Sequence, residues 1–106
     1  MDMKLYREHL LESGVFPEQI VFINLEDYDL RTLYEADALH AYVKERLAWQ
    51  GRTYVFIDEV QYGAAFPRVL DSLYSKADVD IYVTGSNAFL LSGEIATLLS
   101  GRYIFL

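Results

Sequence analysis

Short apolar runs alternate along this chain with stretches in which apolar residues recur every three or four positions. The first kind suits strands buried on both faces, and the second suits amphipathic helices. Met3, Tyr6 and Leu10 predict a helix over residues 2–12, with Gly14 placed to stop it. Ile20-Val21-Phe22-Ile23-Asn24-Leu25 is rich in β-branched residues and predicts a strand. Residues 29–34 read as a short helical turn. Leu39, Tyr42, Val43 and Leu47 predict a second helix over 37–49, closed by Gly51. Thr53-Tyr54-Val55-Phe56-Ile57 is the next strand, with Asp58-Glu59 at its carboxyl end. Phe66, Val69, Leu70 and Leu73 form a third helical stripe, and Pro67 near its start lacks only an N–H that has no helical partner there. Val79 to Val83 is a third strand, and Thr84-Gly85-Ser86-Asn87 turns out of it. Leu90, Leu91, Ile95, Leu98 and Leu99 predict a last helix ending at Gly101, and residues 103–106 a further strand.

Such alternation means an α/β fold: a mostly parallel sheet with right-handed crossovers and helices on both faces, three layers in all. Ligands of these sheets gather at the carboxyl ends of the strands. Three polar clusters fall there: Glu26-Asp27, Asp58-Glu59 and Ser86-Asn87.

Of the 106 residues, 53% are apolar and 24% charged, which suits one small folded domain over residues 1–106. Lys and Arg total 9 against 16 acids, for a net charge of -7. That balance argues against direct nucleic-acid binding, which rests on clustered cations. It leaves room for one nucleotide held by backbone N–H groups and a metal ion. The chain has no cysteine, so disulfides and thiolate chemistry are excluded. Its first residues are charged where a signal peptide would be apolar, and no apolar run approaches the roughly eighteen residues that cross a bilayer. The expectation is a cytoplasmic protein without a membrane partner.

Val55-Phe56-Ile57-Asp58-Glu59 has the shape of a Walker B element. A buried, rigid strand delivers the first carboxylate to a fixed point where Mg²⁺ and its waters can be held. The second carboxylate can orient or deprotonate the attacking water. The plainer alternative is that both acids begin a turn or cap a helix. Ser86 or Asn87 can likewise present a hydroxyl or amide to a γ-phosphate, or cap the helix that follows.

Together Tyr54-Val55-Phe56-Ile57-Asp58-Glu59-Val60-Gln61, Thr84-Gly85-Ser86-Asn87-Ala88 and Leu99-Ser100-Gly101-Arg102 resemble the prokaryotic AAA-type P-loop ATPases that commonly carry a nuclease-like C-terminal domain. The resemblance covers essentially the whole chain. It implies ATP and Mg²⁺ as cofactors, with Asp58 as the magnesium carboxylate and Glu59 as the residue that activates water. Ser86 or Asn87 would be the sensor-one group, and Gln61 would sit beside the bound nucleotide. Arg102 matches the motif arginine, which meets a phosphate or acts across a subunit boundary.

The sequence departs from that family in one respect: no G-x-x-x-x-G-K-[S/T] run occurs among its 106 residues. A phosphate cradle, its lysine and the hydroxyl ligand of the metal are therefore not supplied here. The expectation is a partial P-loop fold without its first strand, inactive alone, in which the Val79–Val83 strand keeps an unpaired flank. Either residues 103–106 move into that place or a second copy pairs there, giving a homo-oligomer. Two other readings stand beside the ATPase. One is a non-enzymatic α/β interaction module that dimerises or binds a partner through an exposed sheet edge. The other is a Mg²⁺-dependent enzyme using Glu26, Asp27, Asp58 and Glu59 as a carboxylate cluster. Trp49 is expected to pack as core or boundary, His9 and His40 to lie at the surface or boundary, and Arg46, Arg52 and Arg68 to be scattered and solvated.

Overall fold

A computed structural model describes residues 2–63, 66–86 and 104–105. Four strands, β1 (Ile20–Asn24), β2 (Thr53–Asp58), β3 (Val79–Val83) and β4 (Ile104–Phe105), form one sheet in that order, every pair parallel. Helices α1 (Met3–Glu12), α2 (Ala36–Glu45) and α3 (Phe66–Lys76) cover it.

Strand alternation sorts the core into two layers. Val21, Ile23, Val55, Ile57, Ile81 and Val83 point to one side and pack against Leu39 and Val43 of α2 and Phe66, Leu70 and Leu73 of α3. Phe22, Tyr54, Phe56 and Tyr82 point to the other and meet Met3, Tyr6 and Leu10 of α1. Phe56 is the centre of that second layer, stacked on Tyr82 at 4.8 Å and on Phe22 at 5.9 Å between ring centroids. Burial and a hydrogen bond shared with the Tyr6 hydroxyl, 3.3 Å away, push the Tyr82 phenol well above its ordinary pKa. The α/β reading with helices on both faces is therefore what the chain adopts.

The flank of β3 that the sequence leaves open is taken by β4. Ile104 pairs with Tyr82 and Phe105 with Val83, in parallel.

The expected boundaries hold within a residue or two except in the second helix. It ends at Glu45, with Arg46 as its cap, not at Trp49, because the Ala48 N–H turns to the Thr53 hydroxyl at 2.7 Å. Gly51, at φ 80°, completes a turn that carries Trp49 outward, where it is 95% exposed and no part of the core. Arg52 is not simply solvated either. Its guanidinium lies 3.0 Å from Asp78 and 3.3 Å from Asp80, fastening the start of β2 to β3 and raising its own pKa. The last expected helix, over residues 90–99, lies outside the described residues. Among the described residues no helix is long and apolar enough to cross a membrane.

Candidate functional site

The register of the sheet builds the rim. Asn24 is paired with Asp58, and Ile57 with Val83, so Asp58 ends β2 beside both Asn24 and the residue after β3, Thr84. Tyr54, Phe56 and Asp58 share a parity, which puts the Asp58 carboxylate on the α1 side of the sheet.

Thr84 closes the arrangement. Its hydroxyl donates to Asp58 Oδ1 and accepts the backbone N–H of Glu59 at 3.0 Å. Its own N–H donates to the Ile57 carbonyl at 3.1 Å, and its carbonyl accepts the Val60 N–H at 2.9 Å. One side chain thereby fixes both acids. Sequence reasoning placed Thr84 in the turn but favoured Ser86 and Asn87. The choice rests on strand register and not on a local cue: a hydroxyl one position beyond a strand whose neighbour ends in Asp lies at the carboxylate.

Glu59 has φ 61° and ψ 54°, the left-handed region, and is the one described non-glycine residue with positive φ. Such a conformation costs a side-chain-bearing residue about 1–2 kcal/mol. Non-glycine residues held there by their surroundings concentrate at functional positions. The bend breaks the strand alternation, so Asp58 and Glu59 do not simply occupy opposite faces. It leads into a 3-10 turn over Val60–Tyr62, anchored by the buried Val60 and by Tyr62 stacked on Tyr34 at 5.7 Å. The Gln61 amide nitrogen donates to Glu59 Oε2, and its oxygen accepts the Ser86 N–H at 3.3 Å.

A cavity of about 320 Å³ opens at this rim, lined in part by Asp58, Thr84, Asn24, Asp2 and Lys4. The first turn of α1 faces it. Asp2 caps that helix by accepting the Lys4 N–H at 2.8 Å, so a carboxylate already serves the end that would attract a phosphate. Larger hollows beside β1 and between α2 and α3 lie away from the paired acids.

The donor set fits Mg²⁺ in one manner only. Asp58, Asn24 and Thr84 offer hard oxygen atoms, as Mg²⁺ requires. Among the described residues, however, no three acidic, His or Cys side chains group as metal ligands. An ion here would rest on one carboxylate, water and substrate oxygens, the common arrangement for magnesium at phosphates.

Of the expected site residues, Asp58, Glu59, Gln61 and Ser86 come together at one end of the sheet. Asn87 and Arg102 lie outside the described residues. Neither Glu59 nor Gln61 is among the residues lining the cavity; Gln61 joins Glu59 to Ser86 beside it. Glu26 and Asp27 do not join a cluster. The Glu26 N–H donates to Asn24 Oδ1, and the Asp27 carboxylate caps the following turn by accepting the Asp29 N–H, each at 3.0 Å. Among the described residues these four acids do not group as a set of metal ligands. His40 lies 3.4 Å from the Ser72 hydroxyl.

The family described as "AAA domain" matches residues 3–106. An uncharacterized protein of Haemophilus influenzae is 37% identical over 100 residues, which cover 93% of this chain and 25% of that protein. The uncharacterized protein MJ1544 of Methanocaldococcus jannaschii is 33% identical over 87 residues, covering 82% of this chain and 19% of its own length. The chain thus spans a quarter or less of the curated relatives it matches. No solved structure matches it.

Proposed function

This chain belongs to the AAA domain family, and on that premise we propose that it supplies the magnesium-holding and water-activating rim of an ATP-hydrolysing domain. The observation that carries the proposal is the shared Thr84 hydroxyl, which fixes Asp58 and the backbone of Glu59 at the carboxyl ends of parallel strands.

Asp58 would hold Mg²⁺, with water and phosphate oxygens completing the ion's octahedral shell. Bound there, the ion would supply charge neutralisation at the β- and γ-phosphates. The residues of this chain do the rest. Glu59 takes up a proton from the attacking water, and its strained backbone sets where its carboxylate stands. Thr84 and Asn24 keep Asp58 in place and offer polar contacts to the phosphate side of the cavity.

These 106 residues include no Gly-rich phosphate loop, and the cavity presents the carboxylates of Asp2 and Asp58 against the single cation of Lys4. A triphosphate therefore needs donors from beyond these residues, and the isolated chain is expected to turn over ATP negligibly. In the full-length protein, Asp58→Ala is expected to abolish magnesium-dependent ATP hydrolysis. Wild-type turnover by that variant would refute the assignment.

A further inference from the structure

A glutamine side chain is one of few that can donate and accept at the same end. Gln61 uses both capacities across the rim. Its Nε2 donates to the Glu59 carboxylate, and its Oε1 accepts the backbone N–H of Ser86 at 3.3 Å. Glu could make only the second contact, Lys only the first, and Met neither.

The elements at the two ends of this bridge differ in kind. Glu59 stands at a strained bend pinned by Thr84. Ser86 is exposed and lies on the segment leaving β3, two residues beyond Thr84. Gln61 itself sits in the short turn whose Val60 is buried and whose Tyr62 stacks on Tyr34, so its backbone is a fixed platform. A long, flexible carboxylate side chain gains one preferred orientation from such a donor before any substrate arrives.

We propose that Gln61 is the positioning residue of this rim: it orients the Glu59 carboxylate and ties that orientation to the segment leaving β3. The proposal rests on Glu59 serving as the water-activating residue. Gln61 is not among the residues lining the cavity and acts through Glu59.

Hydrogen exchange of the full-length protein, read at the Ser86 amide, tests the bridge without any need for turnover. Gln61→Met should speed that exchange roughly tenfold, the loss of one hydrogen bond. Glu59→Ala should also speed it, and should add nothing when Gln61 is already Met. Unchanged Ser86 exchange in Gln61→Met, or an equal effect of Glu59→Ala in both backgrounds, overturns the bridge. Steady-state kinetics then test its purpose. Gln61→Met should lower kcat roughly three- to tenfold with KM for ATP unchanged. Gln61→Glu keeps an acceptor for Ser86 but sets a like charge beside Glu59, so it should leave Ser86 protected and fail to rescue kcat. A raised KM with unchanged kcat would make Gln61 a nucleotide contact and overturn the positioning role. If instead Glu59→Gln leaves turnover intact, the parent reading fails, and the exchange experiment still decides whether Gln61 links the two residues.

Discussion

The Thr84 hydroxyl donates to Asp58 Oδ1 while receiving the Glu59 N–H at 3.0 Å, so a single oxygen atom governs the placement of two adjacent acids. A hydroxyl has one proton and two lone pairs, and no apolar side chain of the same shape can take both parts.

Thr84→Val should therefore destabilise the fold by about 1–3 kcal/mol, because it strands the Glu59 N–H and one carboxylate oxygen. Thr84→Ser should recover most of that loss. Urea denaturation of the three proteins checks the order, and Thr84→Val at wild-type stability would show the hydroxyl to be idle.

Glu59 occupies the left-handed region, where glycine carries no steric penalty. Glu59→Gly is expected to be more stable than Glu59→Ala by about 1 kcal/mol, while both lack turnover in the full-length protein. Equal stabilities would mean that the bend relaxes when the carboxylate is lost.

Tyr82 gives the fold a dependence on alkaline pH. Its phenol is neutral in the native state and raised above its ordinary value by burial, then by the Tyr6 hydrogen bond. The unfolded chain gives up that proton near the ordinary value of about 10, whereas the native state keeps it to higher pH. Stability from this residue is thus complete below about pH 10 and is lost as pH rises above it, because there the native state binds more protons than the unfolded state. Urea midpoints between neutral pH and pH 11 should fall more steeply for the wild type than for Tyr82→Phe. Parallel falls would contradict the assignment.

Phe56 is fully buried between Tyr82, Phe22 and Tyr6, whereas Trp49 is 95% exposed. Phe56→Ala should cost about 3–5 kcal/mol. Trp49→Ala should change stability by no more than about 0.5 kcal/mol, since none of the described residues buries the ring. Thermal unfolding of the two variants compares them directly, and a large loss in Trp49→Ala would place that ring in a contact the chain does not show.

Much of this was legible in the residues. The runs at Ile20–Asn24, Thr53–Asp58 and Val79–Val83 are β-branched and apolar on both faces, which only a sheet covered on both sides can bury. The pairing of Asp58 with Glu59 at a strand end followed from the same pattern. What periodicity could not show was where an amphipathic stripe stops. Leu47 continues the helical spacing, yet a hydroxyl six residues further on, Thr53, captures the backbone and ends the helix early. Nor could it rank Thr84 over its neighbours, because that choice depends on register between strands far apart in sequence. The bend at Glu59 had no local cue at all: glutamate carries no preference for positive φ, and the surrounding bonds impose it.

The most direct test separates the two acids in the full-length protein. Glu59→Gln keeps the size of the side chain and removes its ability to take a proton. It should bind Mg–ATP with wild-type affinity by calorimetry while turnover falls at least about a hundredfold, leaving ATP trapped. Turnover of the Glu59→Gln variant at the wild-type rate would contradict the assignment of Glu59 as the water-activating residue.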